Sequence, residues 1–198
     1  MNLIDVRRNL GYRIASPIVR ILSKSGITPN ALTFINLALS IVAAYVIATG
    51  HLTLGGVLVL VSGLFDLLDG ALARFTGQTT KFGAVLDSTF DRISEAATLC
   101  GLAIWYVSQE AATLGIVLIF VVLIGSFLVS YVRARAEGLG WDCRVGLFTR
   151  AERVIVLAAG LLISQILIIA LCILAVFVFV TVVQRLVYLW KQGQVRGD

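Results

Sequence analysis

The chain has 198 residues, 59% hydrophobic and 14% charged, with a mean hydropathy of +0.99 and a formal net charge of +5. Soluble domains run at about 45–50% apolar and about 25% charged, so an ordinary water-soluble fold and a disordered chain are both excluded. Transmembrane helices of about 20 residues fit this length six times with short loops, which leaves no room for a separate soluble domain.

Residues 1–24 alternate apolar positions (Leu3, Ile4, Leu10, Ile14, Ile18, Leu22) with basic ones (Arg7, Arg8, Arg13, Arg20, Lys24) at helical spacing. They are expected to form an amphipathic helix on the membrane surface, interrupted near Pro17. Charges at Asp5, Arg7, Arg8, Arg13 and Arg20 break any apolar run, so a cleavable signal peptide is not expected. Thr28 and Pro29 mark a helix start, as cap and first helical residue. The first span is predicted from Asn30 to Thr49 and, after a turn at Gly50, the second from Thr53 to Arg74. A polar link over 75–82 leads to a third span from Gly83 to Ser108. A fourth runs from Ala112 to Val132. The polar, mixed-charge loop 133–150 precedes a fifth from Ala151 to Leu162. The sixth starts after Ser164 and Gln165 and reaches Trp190. Two units are therefore expected: an interfacial helix at 1–27 and a six-helix domain at 28–198. The fold class is an all-α integral membrane protein with six transmembrane helices. Cys100, Cys143 and Cys172 are scattered without a C-x-x-C, which argues against a disulfide scaffold or a thiolate metal site.

All 16 Lys and Arg residues fall in or near the N-terminal segment, the 75–82 link, the 133–150 loop or the C-terminus, and the turns near 50, 109 and 164 have none. The positive-inside rule places both termini and both long loops in the cytoplasm of a multi-pass cell-membrane protein. Tyr45, Trp105, Tyr106, Tyr188 and Trp190 fall near span ends, as an interfacial belt requires.

Four carboxylates interrupt this apolar pattern. Asp66 and Asp69 lie near the cytoplasmic end of the second span, and Asp87 and Asp91 near the cytoplasmic start of the third. Spacings of three and four put each pair on one helix face. The short link makes the two helices antiparallel neighbours, so the four acids converge on one cavity. Unpaired carboxylates in such a place cost several kcal/mol and repel one another. Hard oxygen ligands without Cys favour Mg²⁺ or Mn²⁺ over zinc. Helix-terminal salt bridges and a cation or proton pathway are the other readings of intramembrane acids. Gly70 and Gly83 thin the helix walls beside the cavity and Ala73 keeps them small, which admits a flat ligand such as a nucleotide, or tight helix packing alone.

From Asp66 to Asp91 the chain matches every position of D-x2-D-G-x2-A-R-x8-G-x3-D-x3-D: Asp66, Asp69, Gly70, Ala73, Arg74, Gly83, Asp87 and Asp91. With Pro29-Asn30-Ala31-Leu32-Thr33 opening the first span, it resembles the CDP-alcohol phosphatidyltransferase family. The resemblance implies six transmembrane helices, an amphipathic N-terminal helix and a homodimer. It implies transfer of a phosphatidyl group from a CDP-linked lipid to an alcohol, with release of CMP. It implies that Asp66, Asp69 and Asp87 hold metal, two Mg²⁺ ions with Mn²⁺ able to substitute. Asp91 would act as general base and also touch metal. Asp66, Asp69, Gly70, Ala73, Arg74 and Gly83 would bind the CDP-lipid. No nucleic-acid partner is implied, and membrane lipids surround the chain.

The acceptor is read from weaker signals. Ser88 and Arg92 depart from the proline and lysine more usual in glycerophosphate-accepting relatives. The stretch Ser130 to Gly138, Glu152-Arg153 and Gln184-Arg185 look like the inositol-phosphate branch, although Arg133 stands where that branch can have lysine. A phosphate monoester pairs well with several guanidiniums. Arg133, Arg153 and Arg185 are the expected acceptor-phosphate ligands, with Arg135 and Arg144 in reserve. Glu95 continues the Asp87–Asp91 face and is read first as a structural hydrogen-bond partner. The leading expectation is therefore a phosphatidylinositol-phosphate synthase type of activity, using CDP-diacylglycerol and a myo-inositol phosphate. The alternatives are CDP-archaeol as donor, glycerol 3-phosphate as acceptor and, remotely, a cation or proton transporter.

Overall fold

The computed structural model describes residues 17–109, 112–143 and 145–196, all helix and connecting turns. After a helical segment at residues 17–22, six longer α-helices follow one another there: α1 Pro29–Ala48, α2 Leu52–Thr76, α3 Lys81–Val107, α4 Ala112–Gly138, α5 Arg150–Leu162 and α6 Leu167–Arg196, with a 3₁₀ turn at Ser164–Ile166 before α6. Local chemistry sets their ends. Thr28 caps α1, its hydroxyl accepting from the Ala31 N–H at 3.2 Å, with Pro29 in the first turn. Gly77 ends α2 at φ 68°, a left-handed conformation suited to glycine, and Thr80 opens α3 by accepting from the Gly83 N–H at 2.9 Å. Glu152 fixes the start of α5, where its Oε2 accepts from the Thr149 N–H at 2.7 Å and from the Thr149 hydroxyl at 2.5 Å.

The helices form a closed ring. α1 packs on α2 and α3, α2 on α5, α5 on α6, α6 on α4, and α4 on α3. The expectation that α2 and α3 are antiparallel neighbours with converging acids is met at Asp66, Asp69 and Asp87, although the two helix backbones are not packed on each other. They touch little directly, and α1 is packed against both. The reason is steric: Gly101 of α3 lets α3 ride on α1, since a Cβ at that position would collide with the Ala44 backbone. Phe34 and Phe90 meet edge-to-face at 5.0 Å on the same contact. α2 and α3 are left facing each other across a gap, and the acidic side chains fill it. The shared interior is apolar, with Ile47, Leu99, Leu102, Ile119, Leu161 and Leu171 among its buried residues. The outer surface exposes Phe34, Ile41, Val117, Phe120, Ile169 and Val176, which a lipid surround accommodates and water would not.

Among the described residues, four segments are long and apolar enough to cross a membrane: Pro29–Ala48, Leu52–Thr76, Ala112–Gly138 and Ser164–Gln194. This is a multi-pass membrane protein, and the expected count of six spans is met in part. α3 has the length, 27 residues, but carries Lys81, Asp87, Asp91, Arg92 and Glu95, and α5 has only 13 residues. Most of the expected N-terminal surface helix, residues 1–16, lies outside the described residues. Residues 17–22 are helical, and Val19 is buried against Leu32, Leu68 and Leu72 at the start of α1 and the end of α2. Cys100, Cys143 and Cys172 are free thiols. Cys143 is wholly buried in the 139–149 connection, and burial pushes its thiol up from the ordinary range.

Candidate active site

The last three turns of α2 and the first three of α3 bring their carboxylates together. One oxygen from each of Asp66, Asp69 and Asp87 lies within 4.8 Å of the other two. Asp69 is 3% exposed and held at both oxygens. The Thr33 hydroxyl donates to Oδ2 at 2.9 Å, and the Gly70 N–H donates to Oδ1 at 2.5 Å. Three hard carboxylates converging at this spacing, with neither sulfur nor imidazole among them, suit a divalent cation such as Mg²⁺ or Mn²⁺. Three anions left to themselves at this depth would repel strongly.

Asp91 borders this triad at Asp66, with which it shares Arg150. Its Oδ1 forms an ion pair with Arg150 Nη1 at 2.8 Å, and Arg92 Nη1 lies 3.4 Å from its Oδ2. Arg150 also forms an ion pair with Asp66. One turn further along, Arg153 donates to Glu95 through two parallel bonds of 2.7 and 2.8 Å. α5 thus presents Arg150 and Arg153 to Asp91 and Glu95 of α3, two rungs of one charge ladder.

A cavity of about 180 Å³ opens beside the triad, its wall including Asn30, Asp69, Gly70, Ala73, Arg74 and Gly83. Asp87 also reaches it. Gly83 leaves little room for a side chain: a Cβ there would stand 2.9 Å from Thr80 Oγ1 and 3.4 Å from Asn30 Oδ1, both of which line the cavity. Every residue expected to meet a nucleotide, except Asp66, lines this one cavity. A second, small cavity of about 40 Å³ has a largely apolar wall, including Val59, Leu99 and Leu157, into which Ser62, Glu95, Arg150 and Arg153 also reach.

The three arginines expected at the acceptor have different settings. Arg153 is buried against Glu95. Arg185 is equally buried and donates from Nε to the Val145 carbonyl at 2.9 Å and from Nη1 to the Val129 carbonyl. Arg133 is half-exposed and pairs with Glu137 at 2.8 Å. Arg185 lies within electrostatic reach of Arg133, Arg153 and Arg92, so positive charge gathers on this side of the acids. Arg135 is exposed, and Arg144 lies outside the described residues. Sequence reasoning missed Arg150 as a partner of the acids, and Thr33 and Asn30 as site residues. The last two belong to the Pro29–Thr33 motif, read there as the opening of the first span and a mark of the family, with no role at the site.

A family model for CDP-alcohol phosphatidyltransferase matches residues 26–190. The chain belongs to the CDP-alcohol phosphatidyltransferase family. It is an enzyme of that class. It is 40% identical to a phosphatidylinositol phosphate synthase of Mycobacteroides abscessus, over 88% of this chain and 82% of the relative. It is 37% identical to an archaetidylinositol phosphate synthase of Pyrococcus horikoshii, over 87% of this chain and 90% of the relative. The phosphatidylinositol phosphate synthase of Mycobacterium tuberculosis, solved with CDP-DAG bound, superimposes with a TM-score of 0.79 at 37% identity, covering 90% of this chain and 94% of that one. The same Mycobacterium tuberculosis enzyme in complex with manganese and citrate gives a TM-score of 0.80 at 36% identity, covering 89% and 88%.

Proposed function

We propose that this phosphatidyltransferase moves the phosphatidyl group of CDP-diacylglycerol to a myo-inositol phosphate, giving phosphatidylinositol phosphate and CMP. The observation that carries the reading is the Asp66–Asp69–Asp87 cluster at the side of a cavity walled by Gly70, Ala73 and Gly83. The relatives' names support the acceptor, and the CDP-DAG complex of the Mycobacterium tuberculosis enzyme supports the donor.

Asp66, Asp69 and Asp87 are the ligands for Mg²⁺, or Mn²⁺ in its place, as the manganese complex of that neighbour supports. Bound there, divalent metal supplies charge neutralisation at the donor's phosphates and at departing CMP. Thr33 and the Gly70 N–H hold Asp69 in a single orientation. Gly70, Ala73 and Gly83 let the cytidine approach the backbone, and Arg74 faces its phosphates. The acyl tails stay in lipid. Asp91 accepts the proton of the incoming hydroxyl as the new O–P bond forms and the bond to CMP breaks, with Arg150 holding the carboxylate in place. Arg153, Arg185 and Arg133 receive the acceptor's phosphate monoester, for which planar guanidiniums are suited.

The same reading treats 1–27 as an interfacial helix and 28–198 as a six-span transferase domain, homodimeric, with both termini and the acids cytoplasmic. The one-sided placement of Lys and Arg supports that orientation. The test is CMP release from purified protein given CDP-diacylglycerol, Mg²⁺ and labelled acceptors. Product with inositol phosphate and none with glycerol 3-phosphate is the expected result. The reverse pattern would transfer the assignment to glycerol 3-phosphate. Replacing the donor by CDP-archaeol separates the two lipid classes.

A further inference from the structure

Asp66 belongs to two sets at once. It is one corner of the three-carboxylate cluster, and it is ion-paired to Arg150, whose Nη1 also reaches Asp91 at 2.8 Å. The guanidinium cannot drift far from this position. It sits on the first turn of α5, whose start is fixed by Glu152 on Thr149, and Arg153 ties the same helix to α3 through Glu95. Among the described residues, Arg150 Nε and Nη1 are both buried without a hydrogen-bond partner, so the group is held by the ion pairs that Nη1 makes with Asp66 and Asp91.

We propose that Arg150 is a positioning residue that competes with the divalent cation for Asp66 and keeps Asp91 when the cation wins. This rests on the metal reading of the Asp66–Asp69–Asp87 cluster. Two positive groups draw on one carboxylate, and each weakens the hold of the other. As Asp66 turns to the ion, Arg150 retains its contact with Asp91 and fixes the base on the side away from the ion. The competition lowers the affinity for metal and ties metal arrival to the orientation of Asp91. An arginine that merely buttressed the fold would do the opposite, since its loss would loosen the ligands and weaken metal binding.

Titrating Mn²⁺ into the purified full-length protein in lipid nanodiscs, without substrate, and following free Mn²⁺ by electron paramagnetic resonance tests this. Arg150→Gln is expected to tighten Mn²⁺ binding by at least about fivefold. Arg92→Gln removes the same charge beside Asp91 but has no ion pair with Asp66, and is expected to shift the affinity by less than about twofold. Arg150→Lys keeps a positive charge with shorter reach, and is expected to fall between wild type and Arg150→Gln. It serves as the deciding variant should Arg150→Gln fail to fold. Unchanged or weaker binding in the folded Arg150 variant, beside a wild type that binds Mn²⁺, overturns this proposal alone. A wild type that binds no Mn²⁺ overturns the metal reading and this proposal with it.

Discussion

Arg153 and Glu95 form a bidentate pair between α5 and α3, with Nε–Oε1 at 2.7 Å and Nη2–Oε2 at 2.8 Å, and both side chains are largely withdrawn from solvent. Removing one member of such a pair leaves the other charge buried and uncompensated, a cost of about 3–5 kcal/mol. Glu95→Ala is therefore expected to lower the thermal midpoint sharply. Arg153→Ala, in protein that remains folded, is expected to raise the apparent KM for inositol phosphate by about tenfold or more, since a hydrogen-bonded charge contributes about 1.5–3 kcal/mol. The KM for the CDP-lipid should stay nearly constant. An unchanged acceptor KM removes Arg153 from that pocket and leaves it a purely structural partner of Glu95.

Asp91 contacts Arg150 and lies outside the three-carboxylate cluster. Asp91→Asn keeps the shape and removes the proton acceptor. Turnover is expected to fall by about 10²–10⁴-fold, the usual contribution of general base catalysis. Binding of CDP-diacylglycerol, measured directly by calorimetry, should be largely retained. A rate near that of wild type would assign the proton to another group.

Gly83 borders the cavity beside the acids, within 3.4 Å of Asn30 Oδ1 once a Cβ is placed on it. Gly83→Val is expected to raise the KM for the CDP-lipid by about tenfold or more, because overpacking costs about 1–3 kcal/mol. Mn²⁺ affinity should change little. If both constants are unaffected, the nucleotide lies elsewhere.

The Thr33 hydroxyl is the side-chain donor to Asp69, across 36 residues of chain. Thr33→Val preserves the branched shape and deletes the hydrogen bond. Loss of a group that orients a metal ligand typically costs about 10–100-fold in metal affinity or activity, and kcat/KM is expected to fall within that range. Weaker Mn²⁺ binding in the same variant would trace the loss to the orientation of Asp69.

Much of the site is legible in the chain because it rests on helical periodicity. Spacings of three and four place Asp66 with Asp69 and Asp87 with Asp91 wherever the two helices finally stand, and the small residues at 70, 73 and 83 follow the same local register. The structure brings Asp69, Asp87 and those small residues to one cavity. The arginines were harder. Charge count and loop position group Arg133, Arg144, Arg150 and Arg153 together, but neither distinguishes an arginine facing an acid from one facing solvent. Arg133 proves half-exposed beside Glu137, and Arg150 proves to be the one between Asp66 and Asp91.

Helix starts and stops, the apolar spans, the sidedness of positive charge and the acid pairs are local or compositional properties. Caps, backbone preferences and transfer energies act within a few residues, so they can be read from the chain without its fold. The packing of α1 against both α2 and α3 is of another kind, because it depends on Gly101 meeting the Ala44 backbone. The same holds for the counter-ion of each carboxylate. Glu95 and Arg153 are 58 residues apart. Their pairing, like that of Arg150 with Asp66 and Asp91, exists only once the ring of helices has closed and low-dielectric packing makes an unpaired charge too costly to keep.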